Sequence, residues 1–241
     1  MDSSTNQSND DLPFTKLQQA SLPTLADRVF NKLHTNIRSL KLTPNTKLSE
    51  TVVAEKMGVS RQPVREAFKR LSKLGFLNIR PQSSTTVSLI SEEAVLRARY
   101  IRAALESHTC RSACEAIDEV GLGALASLIK QQRIAIEEQD KIKFHALDDQ
   151  FHREICVHSG VGYVWDLIHE NKTHMDRLRM LSLNPSSQQL ALEEHIEIFN
   201  SISARDVDAT ANSISKHLRR ILTLIDLIKS ENHPWFEGTT K

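Results

Sequence analysis

Three histidines and one aspartate occupy the apolar faces of predicted helices in the second half of the chain. Asp148 and His152 are four residues apart, so they lie one turn above each other on the same helix. His195 and His217 each lie among aliphatic residues at helical spacing in two later helices. Because burial of an unpaired carboxylate costs several kcal/mol, a shared divalent metal would satisfy all four groups at once.

Three imidazoles and one carboxylate suit zinc, nickel, manganese or iron, and they leave coordination positions open for water or a ligand. Helix bundles commonly build such sites from facing helices. We therefore predict a divalent metal site at Asp148, His152, His195 and His217, with zinc as purified and nickel or manganese as alternatives. Since only neutral imidazole binds a metal, we expect the affinity to fall below about pH 6.5.

Simpler interpretations of these residues stay open. A single histidine on an apolar face is usually a core residue with a satisfied hydrogen bond, and an aspartate–histidine pair can form without a metal. Periodicity also leaves other candidates for the ligand set, namely His145, Asp149, His158, His169 and His174.

The stretch from Gly58 to Gly75 predicts a helix with one apolar face and one cationic face. Ser60 is a suitable N-cap, and Pro63 falls in the first turn, where its missing N–H costs nothing. The cations recur every four residues, at Arg61, Arg65, Lys69 and Lys73. Such a helix suits the major groove of DNA, with its first arginines at base edges and its later cations at phosphates. A solvated basic face on an ordinary helix is the alternative.

We predict DNA contacts from this helix and from the hairpin that follows it. Arg61 and Arg65 are expected to contact bases or adjacent phosphates, and Lys69 is expected to contact a phosphate. The predicted DNA-binding residues are Ser60, Arg61, Gln62, Arg65, Lys69 and Thr85.

The elements around the cationic helix predict a winged helix-turn-helix over residues 21–90. Thr24 and Ser49 can cap two helices that precede it. Two β-prone runs, at residues 76–79 and 85–89, flank a polar turn and predict a β-hairpin, the wing. The first domain should therefore contain three helices and a hairpin.

From residue 91 onward the apolar periodicity is helical throughout, which predicts an all-α antiparallel bundle over residues 91–231. The predicted helices lie near residues 91–118, 122–138, 141–158, 161–182, 187–203 and 207–230. Ser91, Asn184 and Asp206 are the expected caps. The expected helix breakers are Gly121, Gly123, Gly160, Gly162 and Pro185. Polar residues 1–20 predict a disordered tail, and residues 232–241 predict a loose one.

Charge separates the two halves of the 241-residue chain. Residues 1–90 carry 13 lysines and arginines against 7 aspartates and glutamates, whereas residues 91–241 carry 18 against 23. Only the first half is therefore expected to meet a polyanion. The three cysteines have no zinc-ligand spacing and fit a reducing compartment. Without a signal peptide or an apolar run of about 18 residues, the chain predicts a soluble cytoplasmic protein that does not contact a membrane.

The sequence resembles a known family in both halves. Leu48-Ser-Glu, the run from Gly58 to Leu71 and Arg80-Pro-Gln resemble the winged helix-turn-helix of GntR-type bacterial transcription regulators. The second half resembles the FCD domain of their FadR-like branch. The metal motif of that domain is matched in order and spacing by Asp148, Phe151-His152, Glu194-His195 and His217-Leu218. Asn45 and Ser84 stand where the family usually has glycine.

The resemblance implies a homodimer that binds a two-fold DNA operator, with repression as the expected mode. It also implies that a small organic acid binds near the metal as the effector, with Arg102 facing that ligand. A surface or dimer-interface salt bridge of Arg102 with Glu106 is the alternative. We expect a regulator and not an enzyme, because no general base or nucleophile motif accompanies the ligands. A metal-dependent enzyme that activates water, and a DNA-binding regulator with a purely structural metal, are the competing functions.

Overall fold

A winged helix-turn-helix forms the first part of the structure. The computed structural model describes residues 23–80, 84–182, 184–231 and 233–238. The disordered tail predicted over residues 1–20 lies outside these ranges. The described elements are, in chain order, α1 (Leu25–Arg38), β1 (Lys47–Leu48), α2 (Glu50–Met57), α3 (Arg61–Lys73), β2 (Leu77–Arg80) and β3 (Ser84–Val87). The predicted fold class, a winged helix-turn-helix followed by a helical domain, is confirmed.

Local chemistry sets the ends of the first helices. Thr24 caps α1 through a reciprocal capping box with Asp27. Gly58 ends α2 with a φ of 63°, a left-handed conformation that favours glycine. Ser49 and Ser60 occupy the N-cap positions of α2 and α3, but neither side chain accepts a capping hydrogen bond. The predicted N-cap positions are therefore confirmed without a capping hydrogen bond from either serine. The apolar face of α3 holds this helix by packing against α1.

The wing contains one strand, β1, that the sequence did not predict. β3 lies between β1 and β2 in an antiparallel sheet, with Lys47 opposite Thr86 and Leu77 opposite Val87. A two-residue strand is too short to show an alternating apolar pattern. Asn45 precedes β1 and donates its N–H to the Val87 carbonyl at 2.9 Å. Its φ of 65° is a conformation that glycine adopts freely and asparagine tolerates.

Only helices follow between residues 92 and 230 of the described chain. They are α4 (Glu92–Ala116), α5 (Glu119–Glu137), α6 (Lys141–His158), α7 (Val164–Asn171), α8 (Thr173–Ser182), α9 (Pro185–Ser203) and α10 (Val207–Ser230). Ser91, Asn184 and Asp206 cap their helices as predicted. α10 packs against α4, α8 and α9, while α5 packs against α6 and α9. Each described helix is either too short or too polar to cross a membrane.

Two of the predicted helix breakers are wrong. Gly121 and Gly123 lie inside α5, because Asp118 caps that helix and its carboxylate accepts the Gly121 N–H at 2.8 Å. A Cβ atom at Gly121 would lie 2.6 Å from the Ile117 side chain and 2.7 Å from that of His158. This glycine therefore permits close packing of the first turn of α5.

The single helix predicted over residues 161–182 is interrupted. Lys172 has a ψ of −9°, away from the α-helical value, and it separates α7 from α8. Its side chain is fully buried, with Nζ 2.8 Å from Asp149 and 2.6 Å from Asp176. The sequence did not indicate this break, because a lysine ordinarily occupies a solvent-facing position of a continuous helix, whereas Lys172 is buried.

Residues 233–238, part of the tail that the sequence predicts as loose over residues 232–241, pack against the rest of the described chain. Phe236 is 1% exposed and packs in an apolar cluster that includes Ile90. The two residues form a parallel bridge, in which the Ile90 N–H donates to the Trp235 carbonyl at 2.8 Å. Described residues 233–238 are therefore part of the folded protein, whereas the predicted domain limits stay predictions.

Candidate metal centre and nucleic-acid interface

The four predicted metal ligands converge in the interior of the helical domain. Asp148 and His152 lie on α6, His195 lies on α9 and His217 lies on α10. One potential ligand atom of each side chain lies within 4.8 Å of the others. Each of the four residues is at most 4% exposed. That they bind a metal stays a prediction.

Each of the three imidazoles has an oxygen atom 2.8 Å from its Nδ1 atom. The pairs are His152 with Glu106, His195 with Gln132 and His217 with Glu194. Such outer partners keep the proton on Nδ1 and leave the Nε2 lone pair for a metal. Sequence reasoning missed the three acceptors, because each lies on a different helix from its histidine.

The Nε2 atoms of the histidines face one another. His152 Nε2 and His217 Nε2 are 3.2 Å apart. His195 Nε2 is buried and has no hydrogen-bond partner in the described part of the chain. When Nδ1 carries the proton, two lone pairs point at each other across that 3.2 Å, and a cation between them removes the repulsion. The donor set therefore fits a divalent metal.

The surroundings put the ligands in the charge states that a metal requires. Burial lowers the pKa of His195 and His217 well below the usual value, and neighbouring imidazoles lower it further. Burial alone would raise the pKa of Asp148, but the groups around it, with the Arg179 guanidinium foremost, together outweigh burial and hold that pKa well below its usual range. His195 and His217 are thus neutral and the Asp148 carboxylate is charged, as metal binding needs.

Arg179 of α8 is a site residue that the sequence analysis did not single out. Its Nη1 and Nη2 atoms donate to Oδ2 and Oδ1 of Asp148, both at 2.8 Å. Each carboxylate oxygen has two lone pairs, so this bidentate pair leaves one on each oxygen for a metal. The available signal was the position of this arginine between two apolar residues, Leu178 and Met180.

Arg102, the predicted effector residue, is buried beside the histidines. It is 1% exposed, and its Nε donates to Glu106 Oε1 at 2.5 Å. The salt bridge considered as the alternative therefore exists, but in the interior and not on the surface. Arg102 also lines a cavity of about 10 Å³ together with Arg179, Arg220 and His217, which leaves room for about one water molecule. Effector binding by Arg102 stays a prediction.

A second cavity of about 10 Å³ shares Arg179 and Arg220 with the first. It is also lined by His145, Ser182 and Ser187. Because two guanidinium groups border both cavities, an anion that entered either would meet positive charge.

The competing ligand candidates have other partners. Asp149 and His145 belong to an ionic network around Asp176, in which the buried Lys172 ammonium supplies the positive charge. His145 and Asp149 also lie within ligand distance of Asp148. Three further candidates, His158, His169 and His174, fall outside every possible metal group found among the described residues.

The cationic face of α3 is exposed, as a DNA interface requires. Of the predicted DNA-binding residues, Ser60, Arg61, Gln62, Arg65 and Lys69 are exposed, and Thr85 on β3 is half-buried. Arg65 Nε and Nη2 each lie 3.2 Å from Glu50 Oε2, and Arg61 Nη2 lies 3.5 Å from the same oxygen. Sequence reasoning missed this role of Glu50, although it ends the Leu48-Ser-Glu motif. The DNA contacts themselves stay predictions.

Two protein-family models match the chain. Residues 25–87 match the family described as "Bacterial regulatory proteins, gntR family", and residues 99–220 match the "FCD domain". The first match covers the winged helix-turn-helix, and the second includes all four converging residues.

Characterised and uncharacterised relatives cover nearly the whole chain. The HTH-type transcriptional repressor RspR of Escherichia coli K12 is 36% identical over 210 residues, which are 87% of this chain and 92% of the relative. The uncharacterized HTH-type transcriptional regulator YdfH of Escherichia coli O6:H1 is 35% identical over 215 residues, 89% of this chain and 94% of the relative. Among solved structures, E. coli McbR/YncC has a TM-score of 0.72 at 22% identity and covers 86% of this chain and 99% of its own.

The last similarity shows a shared fold, whereas the two sequence relatives are similar throughout both domains. The relatives are transcription regulators and not enzymes, so the metal-dependent enzyme considered above is wrong. The chain belongs to the GntR family of bacterial transcription regulators and carries a C-terminal FCD domain.

Proposed function

We propose that this regulator is a repressor that binds a two-fold operator as a homodimer and releases it when a small organic acid enters the FCD domain. The observation that carries the proposal is the convergence of three imidazoles, each with an acceptor at Nδ1, on Asp148 beside arginine-lined cavities. Open metal positions and guanidinium groups both bind carboxylate oxygens, so a carboxylate is the ligand chemistry that this centre favours.

The residues that would hold the divalent ion are Asp148, His152, His195 and His217. A bound ion supplies Lewis-acidic positive charge at the wall of the cavities. Gln132 and Glu194 orient two of the rings through their Nδ1 atoms. Arg102 holds the third acceptor, Glu106, in place. Zinc is the expected ion as purified, with nickel or manganese as alternatives.

Arg179 gives ligand binding a route to the DNA-binding domain. It borders both cavities, and each has room for about one water, so an organic acid can enter only if side chains move. A divalent ion would share with Arg179 the countercharge of Asp148, and the guanidinium would then be free to turn to an incoming carboxylate. Because α8 carries Arg179 and also contacts α1, this change displaces a helix that touches the DNA-binding domain.

Repression and dimerisation are supported by the relatives and by geometry. RspR is named a repressor and is similar over both domains of this chain. One winged helix-turn-helix covers only a half-site, and a two-fold operator matches a two-fold protein. The basic N-terminal part and the acidic C-terminal part fit a protein in which only the winged domains meet DNA.

The test is operator binding by metal-loaded and chelator-treated protein, with and without ligand. The wild-type protein first selects its operator from random duplexes, and a panel of small organic acids is screened by thermal shift. We expect at least one acid to raise the melting temperature and to weaken operator binding by about tenfold or more, but only in metal-loaded protein.

Two variants locate that effect. Asp148→Ala should abolish the response to the acid, whereas the exposed Asp166→Ala on α7 should retain it. If metal and operator both bind but no acid changes either measurement, the ion is structural and the sensing proposal fails. A protein that remains a monomer of about 27 kDa on its operator, by light scattering, would refute the dimer.

A further inference from the structure

The segment that joins the two domains, Ser88 to Ile90, is held by a buried arginine. Arg177 of α8 donates through Nη2 to the Ser88 carbonyl at 2.5 Å and through Nη1 to the Leu89 carbonyl at 3.3 Å. Nη1 also lies 3.3 Å from the Ser88 hydroxyl oxygen. Arg177 is 0% exposed. The planar guanidinium thus contacts consecutive linker residues at once, which a lysine ammonium cannot match in geometry.

The same arrangement reaches the end of the recognition helix α3. The Ser88 hydroxyl donates to the Gly75 carbonyl at 2.6 Å, so one hydroxyl links Arg177 to the chain just beyond α3. His174, also on α8, donates through Nε2 to the Leu74 carbonyl at 2.9 Å. Its ring stacks on Phe76 at a centroid distance of 4.2 Å. Two side chains of α8 are therefore linked to the carbonyl groups where α3 ends, His174 directly and Arg177 through the Ser88 hydroxyl.

The C-terminal segment holds the linker from Ile90. The Ile90 N–H donates to the Trp235 carbonyl at 2.8 Å, and the Glu237 N–H donates to the Ile90 carbonyl at 2.9 Å. Phe236 fills an apolar cluster shared by Ile90, α4, α8 and α10. This segment lies beyond residue 220, outside both family matches.

Charge links Arg177 to the C-terminal segment. Burial lowers the pKa of Arg177 and the Glu237 carboxylate offsets part of that effect, which leaves the pKa at about 10. A buried cation is a poor choice for packing alone, since an apolar residue of the same volume would avoid the desolvation cost. The position of Arg177 therefore indicates a need for its donors.

We propose that Arg177 is a positioning residue for DNA binding, supported by the C-terminal segment, and that together they fix the winged domain relative to the FCD domain. The inference rests on the proposed binding of two half-sites by a dimer. A fixed orientation matters there because the second half-site is bound intramolecularly, and a loosely held domain lowers its effective concentration.

The decisive variant is Arg177→Met, which removes the donors and keeps most of the volume. Arg177→Lys, which retains the charge, should recover part of any loss. Arg97→Met is the matched control, because Arg97 is 70% exposed and pairs with Glu93 on its own helix. Glu237→Pro keeps the Arg177 side chain but removes one linker hydrogen bond and the carboxylate that offsets the burial of Arg177. This variant replaces Arg177→Met if the latter does not fold.

The first measurement compares a duplex carrying the full operator with one carrying a single half-site. We expect Arg177→Met to weaken full-operator binding by about tenfold, to leave half-site binding near the wild-type value, and to relax the dependence on half-site spacing. Equal losses on both duplexes would mean a damaged winged domain and would overturn the positioning role. The positioning role would also be overturned if Arg177→Met matched Arg97→Met in full-operator affinity and in spacing preference.

The second measurement needs no DNA and is hydrogen exchange across the linker of the full-length protein. We expect exchange of the peptide containing Ile90 to accelerate about tenfold or more in Arg177→Met and in Glu237→Pro, with peptides from α10 unchanged. Unchanged linker exchange in both variants overturns the inference whether or not the operator proposal holds. If exchange accelerates while the wild type prefers single half-sites, the proposed two-fold operator is wrong and the positioning role falls with it.

Discussion

The DNA-binding face and the interior of the FCD domain both pair arginine with a carboxylate, but under opposite conditions. On the surface, Arg61 and Arg65 share Glu50, with the arginine side chains 59% and 44% exposed. In the interior, the side chains of Arg179 and Asp148 are 10% and 1% exposed. An exposed pair contributes about 0–1 kcal/mol, whereas removing one partner of a buried pair costs about 3–5 kcal/mol. The surface arginines can therefore leave Glu50 for phosphate, while the buried pair responds only when another charge takes its place.

The largest effect should follow from removal of the buried arginine. In chelator-treated protein, Arg179→Ala leaves the Asp148 carboxylate without its guanidinium, and we expect the free energy of unfolding to fall by about 3–5 kcal/mol. Arg61→Ala, the exposed counterpart, should lower it by about 1 kcal/mol or less. Urea denaturation measures both values, and excess zinc should restore part of the loss in Arg179→Ala. Equal losses in the two variants would remove the distinction between the regions.

The next effect concerns DNA and not stability. Arg65→Ala should weaken binding to the selected operator by about 1–3 kcal/mol and relax its sequence preference, because a base contact is lost. Lys69→Ala should weaken all duplexes about equally and reduce the slope of affinity against salt, because a phosphate contact is lost. Titrations of specific and random duplexes at several salt concentrations separate the two. Wild-type affinity in a folded Arg65→Ala protein would disprove the recognition-helix assignment.

The smallest effect should come from Glu50. Glu50→Gln removes the carboxylate that Arg61 and Arg65 share, so we expect DNA affinity to rise by about 0.5–1 kcal/mol and stability to change by less than about 1 kcal/mol. The gain should be greatest at low salt, where the lost competition is least screened. A marked loss of stability would show that the surface pair is structural and that the two regions are alike.

Helical periodicity sufficed to predict that the four candidate metal ligands face the interior. Asp148, His152, His195 and His217 each repeat in phase with aliphatic neighbours, and the packing of α6, α9 and α10 brings them together. The winged domain was also predictable, because its turns and apolar faces are local features. A local pattern gave a wrong prediction at Gly121, because this glycine permits close packing inside α5 and does not end a helix.

The partners of those residues could not be predicted, because they lie on other helices. Gln132 of α5 contacts His195 of α9, and Arg179 of α8 contacts Asp148 of α6. A buried lysine such as Lys172 carries the sequence signature of a surface residue. Phe236 lies in a short segment without periodicity, so only its contact with Ile90 assigns it to the core.

The metal content of the purified protein tests the central proposal most directly. Elemental analysis after reconstitution and dialysis should find about one divalent ion per chain in the wild type and in the control His108→Ala, whose histidine is exposed. It should find little in His195→Ala, which loses the buried Nε2 atom that has no hydrogen-bond partner among the described residues. Circular dichroism confirms that each variant is folded. Metal well below one ion per chain in the reconstituted wild type, or full retention in folded His195→Ala, would contradict the account.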